Sequence, residues 1–406
     1  MCAHKTWVSF WCFEMNEQLN LFDYIRKPIS ITKPIRLIEL FAGYGSQAMA
    51  LKRIGAKFEH YRVVEFDKYA ISSYNAVHDT DFPTMDITKV HAEDLNICDT
   101  DTFTYLLTYS FPCTDLSVAG KQAGMSKGSG TRSGLLWEVE RILTEIKDSN
   151  GELPQILFME NVPQVHGKKN INDFEKWFGF LNSLGYTNYW KDLNAKNYGV
   201  AQNRNRCFMF SFLGNYSYDF PQPIQLTKRI RDYKEEVIDD KFYVSDKALK
   251  GFVEHAKKQK ETGNGFHAVI KDVDDISSTI KARYYKDGSD CLIKVAGRIN
   301  SSQDGKVVYT DGIALTLTSG HYNVPKIAEP TIRKSYESVK LQHSIRKLTP
   351  RECGRLMGVS DEDIDKMAAV NSNTQLYKQF GNSIVVDVMC AMFQNLNINQ
   401  DIQEKK

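Results

Sequence analysis

The chain has 406 residues, 42% of them apolar and a formal net charge of +2, enough for one large α/β unit and a smaller one, each with its own core. A charge so near zero excludes a uniformly basic nucleic-acid scaffold, so a polyanion would be held by local groups such as Lys228/Arg229/Arg231, Lys257/Lys258/Lys260 and Arg346/Lys347/Arg351. The eight cysteines, Cys2, Cys12, Cys98, Cys113, Cys207, Cys291, Cys353 and Cys390, are scattered without Cys-x-x-Cys or zinc-type histidine spacing. They read as reduced, cytoplasmic thiols, and no metal site is expected.

The opening segment to Met15 is partly hydrophobic, but Glu14 interrupts it and no small-residue cleavage site follows. It reads as neither a signal peptide nor a membrane span, and residues 1–33 are expected to be an N-terminal extension. Short apolar runs then alternate with amphipathic stretches, the pattern of parallel strands joined by crossover helices. Strands are predicted at Arg36–Phe41, Tyr61–Glu65, Thr104–Tyr109 and Gln155–Met159, with helices at Ser46–Ile54, Lys68–Val77, Leu135–Ile146 and Phe174–Leu184. Gly55 and Gly185 sit where helix C-caps are expected. Tyr186–Leu193 and Cys207–Phe212 read as added, antiparallel strands closing one side of a doubly wound, Rossmann-like sheet.

After Pro221 Lys, Asp and Glu become dense, and Thr279–Lys326 shows short β-type runs broken by Asp287-Gly288, Asp304-Gly305, Asp311-Gly312 and Ser319-Gly320. This predicts a second, smaller, hairpin-rich domain. Helical signals return at Thr349, with Pro350 at a first helical position, Gly358 near that helix's end, and a closing helix from about Ser383 to Asn395. The expected organisation is a catalytic and cofactor-binding domain over 34–215, completed by 373–406, with 216–372 as a recognition domain and hinge.

Phe41-Ala42-Gly43-Tyr44-Gly45-Ser46 follows the first strand and opens a helix, a glycine turn where backbone can approach a ligand. Glu65, twenty residues past Gly45 at the tip of the second strand, can bind ribose hydroxyls. Together they indicate a nucleoside cofactor. Asp86 can accept an adenine amino group, while Phe66 and Ile87 can sandwich the ring. The turn alone would also suit a dinucleotide oxidoreductase.

Pro112-Cys113 comes directly after a strand, on the same rim of the sheet, and a Gly/Ser-rich loop follows to Gly134. Such a loop cannot bury a strand end, so the thiol is expected to be accessible. With Lys121, Lys127 and Arg132, the loop reads as a lid over a polyanion. Glu160 ends the next apolar strand on that rim, and Arg204 and Arg206 alternate at the mouth of a later one.

In this order the motifs resemble those of the bacterial and phage DNA cytosine-5 methyltransferases: Phe41–Gly45, Glu65, Asp86–Thr88, Pro112-Cys113, Glu160–Val162, Gln202–Arg206, Arg346–Glu352 and Gln379–Ser383. The family's commoner Pro-Cys-Gln is here Pro112-Cys113-Thr114, which leaves local loop contacts open.

The resemblance implies a monomer that transfers a methyl group from S-adenosyl-L-methionine to carbon 5 of a flipped-out cytosine in double-stranded DNA, beside a separate restriction endonuclease or in phage self-protection. Cys113 would be the nucleophile, its thiolate fraction raised by nearby arginine. Glu160 would hold N3 and the 4-amino group, Arg206 the 2-oxo group, and Arg204 would shape the pocket or hold phosphate. Ser46, Pro112, Leu135, Asn382 and Ser383 would complete the cofactor site. Arg298, Gln303, Lys306, His321 and Asn323 are candidate base readers by residue type alone. A transfer-RNA methylase would share these catalytic motifs, but the Cys-Phe-Thr signature of that branch is missing. A catalytically silent partner would lack the Cys, Glu or Arg, and none is missing here.

Overall fold

The computed structural model describes residues 26–116, 123–261, 268–286, 288–295, 307–309, 326–328 and 344–398. The N-terminal residues to 25, part of the loop after Cys113 and all five candidate base readers lie outside these.

The elements run β1 (Lys27–Pro28), β2 (Ile35–Leu40), α1 (Ser46–Arg53), β3 (Phe58–Val64), α2 (Lys68–His78), α3 (Ala92–Leu95), β4 (Thr104–Tyr109), α4 (Leu136–Asp148), β5 (Ile156–Asn161), α5 (Ile171–Ser183), β6 (Tyr186–Asn194) and β7 (Asn205–Leu213). There follow β8 (Tyr216–Ser217), α6 (Asp246–Glu261), β9 (Ile270–Lys271), β10 (Leu292–Val295), β11 (Val307–Tyr309), β12 (Lys326–Ala328), β13 (Ser344–Lys347), α7 (Pro350–Arg355), α8 (Asp361–Val370), α9 (Asn373–Asn382) and α10 (Val386–Gln394).

The central sheet has six strands in the order β3-β2-β4-β5-β7-β6. β3, β2, β4 and β5 are mutually parallel, whereas β7 pairs antiparallel with both β5 and β6, as the sequence predicted for the two added strands. Every residue of β4 and β5 is buried, which is why Tyr105–Leu107 and Ile156–Met159 read as apolar runs without the alternation of a half-exposed strand. Alternation sends Ile156 and Phe158 to one face with Ala48 and Met389, and Leu157 and Met159 to the other with Leu136, Ile142 and Trp177. Helices therefore cover both faces.

The C-terminal segment returns to the start of this sheet. α10 packs on α1, and Ile31 bridges to Ile398. The closing helix expected from about Ser383 to Asn395 is α10, which starts at Val386, with Ser383 in the extended turn that separates it from α9.

In the later region the described pairings are β9 with β10 and β11 with β12, both parallel, and β10 with β13, antiparallel. None joins neighbouring runs as a hairpin among the described residues. Asp287, Asp304-Gly305, Asp311-Gly312 and Ser319-Gly320, on which the hairpin expectation rests, lie outside the described residues. α7 begins as predicted, with Pro350 in its first turn and a capping box between Thr349 and Glu352. Among the described residues, no helix is long and apolar enough to cross a membrane.

Candidate active site

The glycine turn is built on backbone that few residues tolerate: φ is +58° at Gly43 and +81° at Gly45, and even Phe41 sits at +60°. A Cβ on Gly45 would lie 2.3 Å from His78 Nε2 and 2.7 Å from Tyr74 Cε2, so α2 approaches the turn too closely for any side chain. A Cβ on Gly43 would meet nothing within 4 Å, so that side of the turn is open. Ala42 is buried beneath it. Glu65, just past β3, accepts hydrogen bonds from Gly43 N at 2.8 Å and Asp67 N at 2.7 Å, while burial pushes its carboxyl above the usual range.

Phe66, beside it, is 76% exposed. Leaving a phenyl ring in water forgoes about 1.5–3 kcal/mol that a bound partner could recover. Asp86 caps the following 3-10 turn through one carboxylate oxygen, which accepts from Thr88 N and Oγ1 and holds the carboxyl below its usual range. Ile87 is buried in the core on the α4 side, so it offers at most an edge. Ser46 shares a 2.5 Å hydrogen bond with Ser383, which joins α1 to the α9–α10 turn, and Asn382 is exposed beside it.

Cys113 is half-buried and, with Phe41 and Leu135, packs on the core beneath α4. Burial pushes its thiol up; Arg206 and Arg204 oppose this, and Glu160 adds to it. The expected rise in thiolate fraction is therefore not realised in the free protein, because desolvation outweighs the two guanidinium groups. Glu160, 6% exposed, is ion-paired with Arg206, Nε to Oε1 3.0 Å. Burial nonetheless raises its carboxyl, against Arg206 and Arg204.

The two arginines diverge, although their alternation suggested a common direction. Arg204, 2% exposed, donates to the carbonyls of Ile280 at 2.9 Å, Gly381 at 3.0 Å and Ser383 at 2.5 Å, and burial lowers its pKa to about 9. It cannot hold phosphate from there.

Sequence reasoning missed several supports. Asp115 accepts from Arg132 N at 2.8 Å and Ser133 N at 3.3 Å, and Ser133 Oγ donates to Pro112 O at 2.7 Å, fastening the far end of the loop to the cysteine turn. Asn161 donates to Phe111 O at 3.0 Å. Gln202, fully buried, donates to Leu356 O at 2.8 Å and accepts from Ile280 N at 3.2 Å. Beneath the glycine turn Tyr74 donates to buried Glu39 at 2.5 Å and shares a 2.7 Å bond with His60, and burial raises Glu39 to about 7. A polar residue inside an apolar strand was the available signal for Glu39; the partners of the others are too remote in sequence to be read.

Two candidate polyanion contacts are engaged elsewhere. Lys127 is ion-paired with Glu140 on α4. Arg346 is 1% exposed and forms a two-point pair with Glu352, 2.7 Å at each contact, because β13 packs it against α7.

The cysteine turn, the buried Glu–Arg pair and the glycine turn thus share the carboxyl rim of one sheet. Residues 35–397 match the family described as C-5 cytosine-specific DNA methylase. The chain belongs to this family. It is 32% identical to the type II methyltransferase M2.ScrFI of Lactococcus lactis subsp. cremoris, covering 89% of this chain and 99% of that protein. It is 30% identical to the type II methyltransferase M.HhaI of Haemophilus parahaemolyticus, covering 89% and 94%. Among solved structures, the Entamoeba histolytica methyltransferase EhMeth matches with a TM-score of 0.63 at 16% identity over 90% of this chain and 98% of that one. The S. pombe Dnmt2 methyltransferase gives 0.61 at 19%, over 89% and 97%. These last two show the shared fold. The C-5 cytosine-specific DNA methylase is thus an enzyme that methylates carbon 5 of cytosine in DNA, and a covalent cysteine adduct with the base is general to its family.

Proposed function

We propose that this methylase uses S-adenosyl-L-methionine, that Cys113 is its nucleophile, and that Glu160 and Arg206 polarise the cytosine. The single observation that carries the reading is the buried Arg206–Glu160 pair acting electrostatically on the half-buried Cys113 thiol. The residues around the glycine turn fit the cofactor. Gly43 leaves open space, Glu65 is anchored with oxygen lone pairs left for a ribose diol, and Phe66 offers an exposed face for adenine. Asp86 keeps one carboxylate oxygen for the adenine amino group, and Ala42, Gly45, Ser46, Ile87, Pro112, Leu135, Asn382 and Ser383 frame the rest. When bound, the cofactor supplies an electrophilic methyl group.

Carbon 5 of cytosine is a weak nucleophile until a thiolate adds at carbon 6. Cys113 makes that bond, Glu160 holds a proton at N3 as charge spreads into the ring, and Arg206 faces the 2-oxo group, where charge also develops. After methyl transfer, water takes the carbon 5 proton and the Cys113–carbon 6 bond breaks, returning the electron pair to the thiolate. The target must be flipped out of double-stranded DNA to present its face. The division into 34–215 with 373–406 as the catalytic unit and 216–372 as the recognition unit follows the same reading. The type II relatives support a role as the modification partner of a separate restriction endonuclease, testable by bisulfite sequencing of host DNA.

A duplex with 5-fluorocytosine at the target tests the mechanism, because fluorine cannot leave as the proton does. A cofactor-dependent adduct resistant to denaturing electrophoresis is expected, and Cys113→Ser should abolish it while leaving cofactor affinity nearly unchanged. An adduct mapped to another cysteine would overturn the assignment. Glu65→Ala should weaken cofactor binding by roughly 1.5–3 kcal/mol, the scale of hydrogen bonds to charged groups. Unchanged affinity by calorimetry would move the ribose site elsewhere.

A further inference from the structure

Away from the reacting groups, one place among the described residues brings three potential metal ligands of mixed chemistry together. The ligand atoms of His166, Asp192 and Cys207 all lie within 4.8 Å of one another. None has a part in the methyl transfer above, and their sequence spacing carries no metal motif. They are held on a rigid frame. Asp192 on β6 and Cys207 on β7 are cross-strand partners, and Cys207 is also paired with Asn161 of β5. His166 ends the 3-10 turn Pro163–His166 that follows β5.

The geometry already resembles a partly assembled site. His166 Nε2 stands 3.0 Å from Asp192 Oδ1, and Trp190 lies against the imidazole with ring centroids 4.6 Å apart, which fixes the ring plane. The His166 and Asp192 side chains are 22% and 31% exposed, whereas Cys207 is fully buried. The His–Asp side of the cluster is therefore the open one, with the sulfur behind it.

We propose that His166, Asp192 and Cys207 bind a divalent transition-metal ion of the zinc class. Imidazole nitrogen, thiolate sulfur and one carboxylate oxygen form a borderline donor set, which suits zinc or cobalt and disfavours magnesium or calcium, ions that prefer oxygen alone. On binding, a metal–sulfur bond forms, the Cys207 proton leaves to solvent, and no electron is transferred. Three protein ligands leave the fourth position to water on the open face. The ion would tie the segment after Glu160 to β6 and β7, beside Arg206, bracing the rim without touching the base.

The test uses the full-length chain, stripped with a chelator and titrated with cobalt chloride and then zinc chloride under reducing conditions. One equivalent of cobalt should bind with a thiolate-to-cobalt charge-transfer absorption, which zinc displaces and magnesium does not. The band should disappear in Cys207→Ser and persist in Cys113→Ser. No band in the wild type, a band surviving Cys207→Ser, or one lost only with Cys113→Ser overturns the proposal. Because Cys207 lies in the core, the partly exposed His166→Ala is a second arm. It should weaken cobalt binding at least about tenfold, and unchanged affinity also refutes the site.

Discussion

The proposed mechanism asks opposite things of two neighbouring side chains: Cys113 must lose a proton while Glu160 carries one. Burial raises both groups, so the carboxyl is shifted toward the required form and the thiol away from it. The reactive state, thiolate with carboxylic acid, is therefore a minority species with its pH dependence fixed by sign. Below the Glu160 pKa, raising pH only increases thiolate, and the rate climbs. Between the two pKa values the gain in thiolate cancels the loss of acid, and the rate is flat. Above the Cys113 pKa only acid is lost, and the rate falls. Glu160→Gln removes one titration, so its methyl-transfer rate should lie about 10²–10⁴-fold lower and lose the flat stretch between the two pKa values, climbing with pH until Cys113 titrates. Single-turnover rates across pH would check this, and parallel profiles for the two proteins would dismiss Glu160 as the titrating acid.

The same separation of roles operates along the glycine turn, where two glycines with similar backbone serve different neighbours. Gly45 faces inward onto Tyr74 and His78, over the Glu39 network, and Gly43 faces open space. Gly45→Ala is expected to cost about 1–3 kcal/mol of stability through overpacking and left-handed strain. Gly43→Ala should cost about 1–2 kcal/mol for the backbone alone, with a larger effect on cofactor affinity. Urea unfolding and cofactor titration of both variants distinguish the roles, and equal stability losses with equal affinity would contradict them. Element by element, the first half of the chain was legible because its strands are buried on both faces and its turns carry glycine. Thr104–Tyr109 matched residue for residue, and helix ends at Gly55 and Gly185 follow from their positive φ. What stayed hidden depends on tertiary packing: the burial of Arg346 with Glu352 between β13 and α7, and the net upward push on Cys113.

At the scale of the whole molecule, the catalytic rim is assembled from both ends of the chain. Arg204 is the clearest joint, because its guanidinium fastens β7 to the carbonyls of Ile280, Gly381 and Ser383, and Ser383 in turn touches Ser46 at the glycine turn. The backbones meet so closely there that a Cβ on Gly381 would lie 2.1 Å from Ala282 N. Arg206, two residues on, reaches its own neighbouring carbonyl and Glu160 among the described residues. The pair should therefore separate by experiment. Arg206→Met is expected to lose methyl transfer and 5-fluorocytosine trapping while its cofactor affinity stays near wild type. Arg204→Met removes a buried cation from three carbonyls, so it should lose stability by roughly 1.5–3 kcal/mol or more. Cofactor affinity should fall with it, because the α9–α10 turn loosens against α1. An Arg204→Met protein that unfolds and binds cofactor like the wild type, yet cannot transfer methyl, would make Arg204 a reacting group and leave the joint to Gln202 alone.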